Sequence, residues 1–212
     1  MKYKYIFFDW NGTLLDDAYA SFQAVNAMLA NRGLLSITFE QYREYIDVPI
    51  IRFYEKVMDM TEESMDDLAV EFNMYYQKFL PEIPIFEGLH ELLGKLCISG
   101  IQLYIFSSSN NNIILPYLKK FDLLRYFTSV LGADDFHVGS KIKRTCDYIE
   151  DNSITSSEIL FVGDMVHDSD VAKNAGGDCV LISSGHQSEE ALLASGYRVI
   201  SSVAELSALL CL

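Results

Sequence analysis

The sequence lacks the long apolar runs and cysteine clusters that mark membrane and disulfide-rich proteins. No stretch approaches the ~20 apolar residues of a membrane-spanning helix, and the first apolar run ends at Asp9, too early for a signal-peptide core. The four cysteines are scattered, without a Cys-x-x-Cys pair or a histidine at metal-ligand spacing. They are Cys97, Cys146, Cys179 and Cys211. We therefore expect buried free thiols, a reducing compartment and a cytoplasmic protein.

Positive charge is also scarce. The chain has 16 lysines and arginines against 30 acidic residues, a formal net charge of -14. Such a charge repels nucleic-acid backbones and anionic membranes, so we expect neither as a partner. A phosphorylated substrate would be repelled at long range as well, and its site would need a cation and local hydrogen-bond donors to hold it.

The composition is otherwise that of a globular protein. Half of the 212 residues are hydrophobic and 22% are charged. A chain of this length can bury a sizeable core without disulfides, as one ordinary domain or as a core with a smaller inserted domain.

Short aromatic and β-branched segments alternate with helical segments along most of the chain. Residues 3–8 form the first and end at a turn-rich stretch, and the same pattern recurs at residues 101–106 and 159–162. Shorter strand candidates lie at residues 129–131, 179–182 and 198–200. This alternation predicts an α/β fold with a Rossmann-like parallel sheet and helices on both faces, a three-layer core.

Between Asp17 and about Pro84 the apolar residues have helical spacing instead. They recur as Phe22, Val25, Met28 and Leu29, and again as Leu68, Phe72, Tyr75, Tyr76 and Phe79. Pro81, Pro84 and Gly88 mark the return to the first pattern. We expect residues 17–84 to form a helical cap domain over the carboxyl ends of the strands, with residues 1–16 and 85–212 forming the core.

Chemically active side chains follow the predicted strands. Because ligands bind at the carboxyl ends of parallel strands, residues at these positions should share one rim of the sheet. They are Asp9, Ser107, Lys141, Asp164 and Asp168. Carboxylates, a hydroxyl and a lysine brought together in this way predict a functional site.

Four segments resemble, in order, the motifs of the haloacid dehalogenase-like hydrolases. They are Asp9-Trp10-Asn11-Gly12-Thr13-Leu14, Ser107 after a hydrophobic strand, Lys141, and Gly163-Asp164-Met165-Val166-His167-Asp168. The resemblance covers nearly the whole chain, and the helical insert between the first two motifs is similar to one cap class of the family. It implies a phosphatase of this family, a Mg²⁺-dependent hydrolase of a small phosphorylated metabolite of the phosphoglycolate phosphatase type.

The resemblance also implies the metal ligands and the catalytic groups. Asp9 would attack phosphorus and form an aspartyl-phosphate that water then hydrolyses. Asp9, Asp164 and Asp168 would hold Mg²⁺ together with the backbone carbonyl of Asn11. Lys141 would supply a fixed positive charge.

The remaining motif residues would bind the phosphoryl group. Gly12 would let backbone amides after Asp9 approach its oxygens, and the hydroxyl of Ser107 would donate another hydrogen bond, with Ser108 beside it.

Several of these positions keep structural alternatives. An aspartate after a strand is often a helix N-cap, an interpretation that we favour for Asp16 or Asp17 but not for Asp9, which precedes a glycine turn. Taken alone, Asp168 fits a solvated helix residue equally well. Residues 107–109 also fit a plain polar turn.

Further assignments rest on position alone. Lys143 competes with Lys141, which we prefer because Gly139 and Ser140 place it at the start of a helix. We expect His167 to lie at the surface or to support the ligands, without being a ligand itself. The tyrosines and phenylalanines of residues 17–84 are expected to form the core of that segment. The same segment contains the cations Arg43, Arg52 and Lys56, and their spacing does not show which of them contacts the substrate.

Asn11 departs from the family pattern. Most phosphatases of the family carry a second aspartate at this position, which protonates the leaving oxygen and activates water, and such help is worth about 10² to 10⁴-fold. An amide does not exchange protons in this way. The resemblance then implies substrates with better leaving groups, such as acyl phosphates, phosphoanhydrides or phosphonates, or another source of the proton, and it also leaves open a slow phosphomonoesterase. A weakly catalytic phosphate-ligand binder is the alternative, and carbon–halogen hydrolysis ranks third.

Overall fold

The computed structural model describes residues 2–133 and 141–211. Within these residues, six strands form one sheet: β1 (Tyr5–Phe8), β2 (Gln102–Asn110), β3 (Phe127–Ala133), β4 (Ile159–Gly163), β5 (Asp178–Ile182) and β6 (Arg198–Ile200). Their order is β3-β2-β1-β4-β5-β6, and all neighbouring strands are parallel. The strand order reverses where β1 and β4 pair, and open parallel sheets bind ligands at such a switch point.

The helices in the described residues connect these strands and add an insert after β1. They are α1 (Ala18–Asn31), α2 (Phe39–Tyr45), α3 (Ile51–Val57), α4 (Met65–Phe79), α5 (Leu89–Ile98), α6 (Asn111–Lys120), α7 (Lys141–Asp151), α8 (Val166–Ala175), α9 (Glu189–Ala194) and α10 (Val203–Leu209).

The sheet buries both of its faces. Successive strand residues point to opposite faces, so Ile6 and Phe8 pack with α5, α6 and α10, whereas Phe7 packs with α7, α8 and α9. Every residue of β4, with the sequence ILFVG, is buried, as expected for a central parallel strand covered on both sides. The predicted three-layer α/β fold is confirmed.

The segment between β1 and α5 is helical, as its spacing predicted. Helices α1 to α4 enclose a separate apolar cluster that includes Met28, Phe53 and Leu68. The two chain connections to this insert run side by side, because the Asp16 amide donates to the Pro84 carbonyl at 3.0 Å. The domain limits at 17–84 remain a prediction that these contacts support.

The predicted end of the second strand was wrong. Strand β2 continues through residues 107–109 to Asn110, so they do not form the predicted polar turn. The pairing with β3 shifts register between Phe106 and Asn110, and the Ser109 amide donates to the Ser107 hydroxyl at 3.0 Å. The local side-chain bond stabilises an irregular strand where composition alone indicated a turn.

The prediction of buried thiols was also wrong for most cysteines. All four are free, but only Cys179, on β5, is buried, whereas Cys97 and Cys211 are exposed and Cys146 is half-buried. The exposed pair lies near the ends of α5 and α10, where the chain meets solvent. Among the described residues, no helix is both long and apolar enough to cross a membrane.

We expect Leu160→Ala and Leu35→Ala to differ sharply in their effect on stability. Leu160, on β4, is 1% exposed, whereas Leu35, between α1 and α2, is 91% exposed. The buried truncation should lower the free energy of unfolding by about 2–5 kcal/mol, because it leaves a cavity in the core. Leu35→Ala should change the free energy of unfolding by less than about 0.5 kcal/mol. Urea unfolding measures both, and equal losses would contradict the packing described here.

Candidate active site

Three buried carboxylates meet where β1 and β4 pair. Asp9 directly follows β1, and its amide donates to the Val162 carbonyl of β4 at 2.8 Å. Asp164 follows β4, and Asp168 lies in the first turn of α8. One oxygen from each carboxylate lies within 4.8 Å of the other two. The sheet topology therefore brings together the three acidic residues that the sequence placed on one rim.

Backbone and hydroxyl donors orient two of these carboxylates. Asp168 accepts from the amides of Asp164 and Met165, both at 3.0 Å. Asp164 accepts from the Thr13 hydroxyl at 3.1 Å and from the His186 amide at 2.6 Å. Asp168 is only 2% exposed, so its interpretation as a solvated helix residue was wrong.

Two glycines make this close approach possible. A Cβ atom at Gly163 would lie 2.2 Å from a carboxylate oxygen of Asp168. Gly12 has a φ of +68°, and a Cβ there would lie 2.2 Å from Asp164 Oδ2 and 2.5 Å from the His186 ring. The Gly12 amide donates to Asp17 at 2.7 Å, so within the described structure it serves an internal contact.

Lys141 links two of the three carboxylates. Its Nζ lies 2.5 Å from Asp9 Oδ1 and 2.6 Å from Asp168 Oδ1, and the side chain is buried. Lys143, the competing candidate, is exposed and pairs with Asp147 at 2.5 Å. The contacts therefore favour Lys141. Residues 139 and 140, on which the sequence argument for a helix start relied, lie outside the described residues.

Negative charge at the site exceeds what the lysine balances. Burial raises the pKa of Asp9 to about 8, with Lys141 opposing and Asp168 and Asp164 adding to the shift. Burial likewise raises the pKa of Asp164 to about 6, with His186 opposing and Asp168 adding. A group of three oxygen donors with uncompensated charge matches what Mg²⁺ binds, so the residues present fit that ion.

The Asn11 amide has hydrogen-bond partners on both sides. Its Nδ2 donates to Asp17 Oδ2 at 2.8 Å and to the Tyr76 hydroxyl at 3.3 Å, and its Oδ1 accepts from the Ser109 hydroxyl at 2.6 Å. These contacts fix the orientation of the side chain. Asn11 therefore joins the rim of the core to helix α4 of the insert.

Asp17 does not act as the predicted helix cap. It occupies the N-cap position of α1, but its side chain makes no capping bond. Its carboxylate accepts instead from the Tyr76 hydroxyl at 2.7 Å and contacts His186 Nε2 at 3.3 Å, besides Asn11 and the Gly12 amide. Four donors inside the site compete successfully with the backbone amides of the helix start.

Sequence reasoning missed His186. Its Nδ1 lies 2.8 Å from the Tyr42 hydroxyl, and its Nε2 contacts Asp17. Burial alone would lower the pKa of His186, but Tyr42 and Asp17 hold this pKa well above its usual value. Burial alone would raise the pKa of Asp17. The contacts with His186 and Tyr76 outweigh burial and lower this pKa below its usual value. His186 follows β5, so the strand-end rule used for Asp9 could have found it.

A cavity of about 320 Å³ lies between the rim and the insert. On the core side it is lined by His167 and by six predicted site residues: Asp9, Asn11, Ser107, Ser108, Lys141 and Asp168. Ser107 is buried, Ser108 is exposed and His167 is half-buried. Several aromatic residues pack in the apolar cluster of the insert and also line the cavity: Tyr42, Phe53, Tyr54 and Phe72. Tyr76 lines the cavity as well but packs with the apolar cluster of the core.

The chain belongs to the haloacid dehalogenase-like hydrolases, whose sequence profile matches residues 6–182. It is 28% identical over 206 residues to a phosphoglycolate phosphatase from Vibrio parahaemolyticus, covering 91% of this chain and 89% of that protein. It is 25% identical over 199 residues to a 5'-nucleotidase from Pseudomonas aeruginosa, covering 92% of this chain and 89% of that protein. The fold is similar to a haloacid dehalogenase-like family hydrolase from Streptococcus pneumoniae, with a TM-score of 0.84, 19% identity and 99% of both chains covered.

The raised pKa of Asp9 predicts a pH-dependent stability. An unfolded aspartate releases its proton near pH 4, whereas folded Asp9 keeps it until about pH 8. Between these values the folded chain binds more protons, so in EDTA the Tm should fall as the pH rises from 5 to 8. Asp9→Asn should flatten this slope, and Asp170→Asn, at an exposed position on α8, should leave it unchanged. Equal slopes for all three proteins in thermal unfolding would contradict the prediction.

Proposed function

We propose that this chain is a Mg²⁺-dependent phosphatase that hydrolyses a small phosphorylated metabolite through an aspartyl-phosphate on Asp9. The observation that carries the proposal is the contact of Lys141 with Asp9 beside Asp164 and Asp168, on the floor of a cavity large enough for a small ligand. The phosphatases among the relatives support the same reaction class.

Asp9 is the proposed nucleophile because its carboxylate lies at the switch point and lines the cavity. Lys141 stabilises the ionised form of Asp9, which is the form that attacks phosphorus. Attack would break the ester P–O bond and leave the phosphoryl group on Asp9, and the released alkoxide would take a proton from water to become the alcohol. A second water would then free phosphate and regenerate the carboxylate.

The carboxylates of Asp9, Asp164 and Asp168 and the backbone carbonyl of Asn11 would hold Mg²⁺. The ion would offset the charge of the phosphoryl group in the transition state. Ser107 and Ser108 line the same cavity and would donate to the phosphoryl oxygens. The hydroxyl of Ser107 already accepts from the Ser109 amide, which leaves its proton available for such a bond.

The insert, residues 17–84, would act as a cap over this site. Its two connections run side by side, and it contacts the core around the cavity. The Tyr42–His186, Asp17–His186 and Tyr76–Asn11 contacts join residues 17, 42 and 76 of the insert to the core. These contacts would hold the closed position while substrate is bound.

We further propose a cytoplasmic protein that has neither nucleic acid nor membrane as a partner. The net charge of -14 supports this, since anionic polymers and surfaces would be repelled.

We expect Asp9→Asn to abolish both turnover and the covalent phosphoenzyme, because the amide lacks the nucleophilic charge. Phosphate release from a panel of monoesters, with Mg²⁺ or EDTA, measures the first, and trapping after acid quench measures the second. Beryllium fluoride with Mg²⁺ should raise the Tm of the wild type and not of Asp9→Asn. Asp164→Asn is the matched control: it should weaken Mg²⁺ binding and regain part of its rate at higher Mg²⁺. Substantial turnover by purified Asp9→Asn, or turnover of the wild type in EDTA, would refute the mechanism.

We expect Asn11→Asp to lower both stability and turnover, because it replaces the Nδ2 donor, which lies 2.8 Å from Asp17 Oδ2, with a carboxylate oxygen in a part-buried setting. Asn11→Asp combined with Asp17→Asn should recover part of the stability, with an interaction energy of about 0.5–3 kcal/mol in a double-mutant cycle. A large gain in turnover from Asn11→Asp would instead identify the wild type as a weakened catalyst. That outcome would support the alternative hypothesis of a weakly catalytic phosphate-ligand binder.

A further inference from the structure

The wall of the cavity that faces the site is aromatic and aliphatic. The insert contributes the rings of Tyr42, Phe53, Tyr54, Phe72 and Tyr76, and α6 of the core contributes Ile113. The rings of Phe72 and Tyr76 stack at 5.5 Å between centroids. A leaving group that extends from a phosphoryl group on Asp9 would contact this wall.

Among the described residues, the cavity offers no cation that is free to pair with a charged leaving group, since the His186 ring that also lines it contacts Asp17. Lys141 is the only lysine or arginine that lines the cavity there, and it already contacts Asp9 and Asp168. Residues 134–140, which the structure does not describe, contain neither lysine nor arginine.

The cations of the insert have partners elsewhere. Arg43 donates to the carbonyls of Ser183 and Gln187 on the core, the second at 2.9 Å. Arg52 is 59% exposed and lies 3.5 Å from Asp47. The Lys56 ammonium donates to a backbone carbonyl at 3.1 Å. The Arg43, Arg52 and Lys56 side chains are therefore not among the cavity-lining groups.

We propose that the substrate is a phosphate monoester whose leaving group is uncharged, mostly apolar and about the size of one aromatic ring. This rests on the proposed phosphatase activity and narrows its substrate class. A carboxylate or second phosphate on the leaving group would enter a partly desolvated space already lined by Asp9, Asp17 and Asp168. Without a paired cation, such a charge costs several kcal/mol to desolvate, whereas a ring gains by burial against the aromatic wall.

The volume of the cavity indicates a small leaving group. At about 320 Å³ it stands at the lower end of the roughly 300–1,000 Å³ of small-molecule sites. A phosphoryl group beside Asp9 would take part of this volume and would leave room for a small leaving group such as a single ring.

Three monoesters that all release an alcohol test this inference: benzyl phosphate, ethyl phosphate and phosphoglycolate. With Mg²⁺, we expect kcat/KM for benzyl phosphate to exceed that for phosphoglycolate by at least about tenfold, with ethyl phosphate between them. Phosphoglycolate turnover equal to or above that of benzyl phosphate would overturn the inference and leave the phosphatase proposal intact. Absence of turnover for all three would overturn both.

A cation added to the wall provides an independent test. Asn73 lies on α4 one turn before Tyr76 and lines the cavity. Asn73→Lys should raise the ratio of phosphoglycolate to benzyl phosphate kcat/KM by about tenfold, whereas Asn73→Leu should not raise it. An unchanged ratio in Asn73→Lys with a wild-type Tm would count against the inference. So would a selective loss of phosphoglycolate turnover in Arg52→Ala, which would show that an outside cation reaches the leaving group.

Discussion

The ion pairs of Lys141 with Asp9 and Asp168 are the contacts on which the rest of the site depends. Three carboxylates buried within 4.8 Å of one another repel, and burial removes the water that would screen them. One ammonium at 2.5–2.6 Å offsets part of that cost. Burial, together with the charges of Asp168 and Asp164, raises the pKa of Asp9, and a divalent cation would offset the excess negative charge that Lys141 leaves.

The sheet makes this concentration of charge possible. β1 and β4 are adjacent and buried on both faces, so their carboxyl ends carry Asp9 and Asp164 to one point with little freedom to move apart. The glycines at 12 and 163 remove the Cβ atoms that would otherwise collide with the carboxylates. A well-packed apolar core thus holds like charges at a separation that isolated side chains would avoid.

A second charged pair, Asp17 with His186, lies beside the first and connects the core to the insert. Asp17 accepts hydrogen bonds from Tyr76 and Asn11, and His186 contacts Tyr42, so the pair has partners on both sides of the cavity. Four of these side chains are buried: Asp17, Tyr42, Tyr76 and His186. Breaking one of their contacts would therefore leave a buried polar group unsatisfied. Asn11 suits this network as a donor to Asp17, a contact that an ionised aspartate would turn into repulsion.

The sequence alone determined the α/β class, the helical insert and the positions of Asp9, Lys141, Asp164 and Asp168, because hydrophobic periodicity and strand-end chemistry are local patterns. Only the tertiary structure shows that Lys141 contacts Asp9 whereas Lys143 pairs with Asp147. The continuation of β2 through Ser107, and the contact of Asp17 with His186 in place of a helix cap, are likewise tertiary findings. These outcomes depend on side chains far apart in the chain, such as residues 17 and 186, whose contact exists only after the insert packs on the core. Local propensity carries no information about such a contact, since its free energy comes from burial and charge pairing between distant segments.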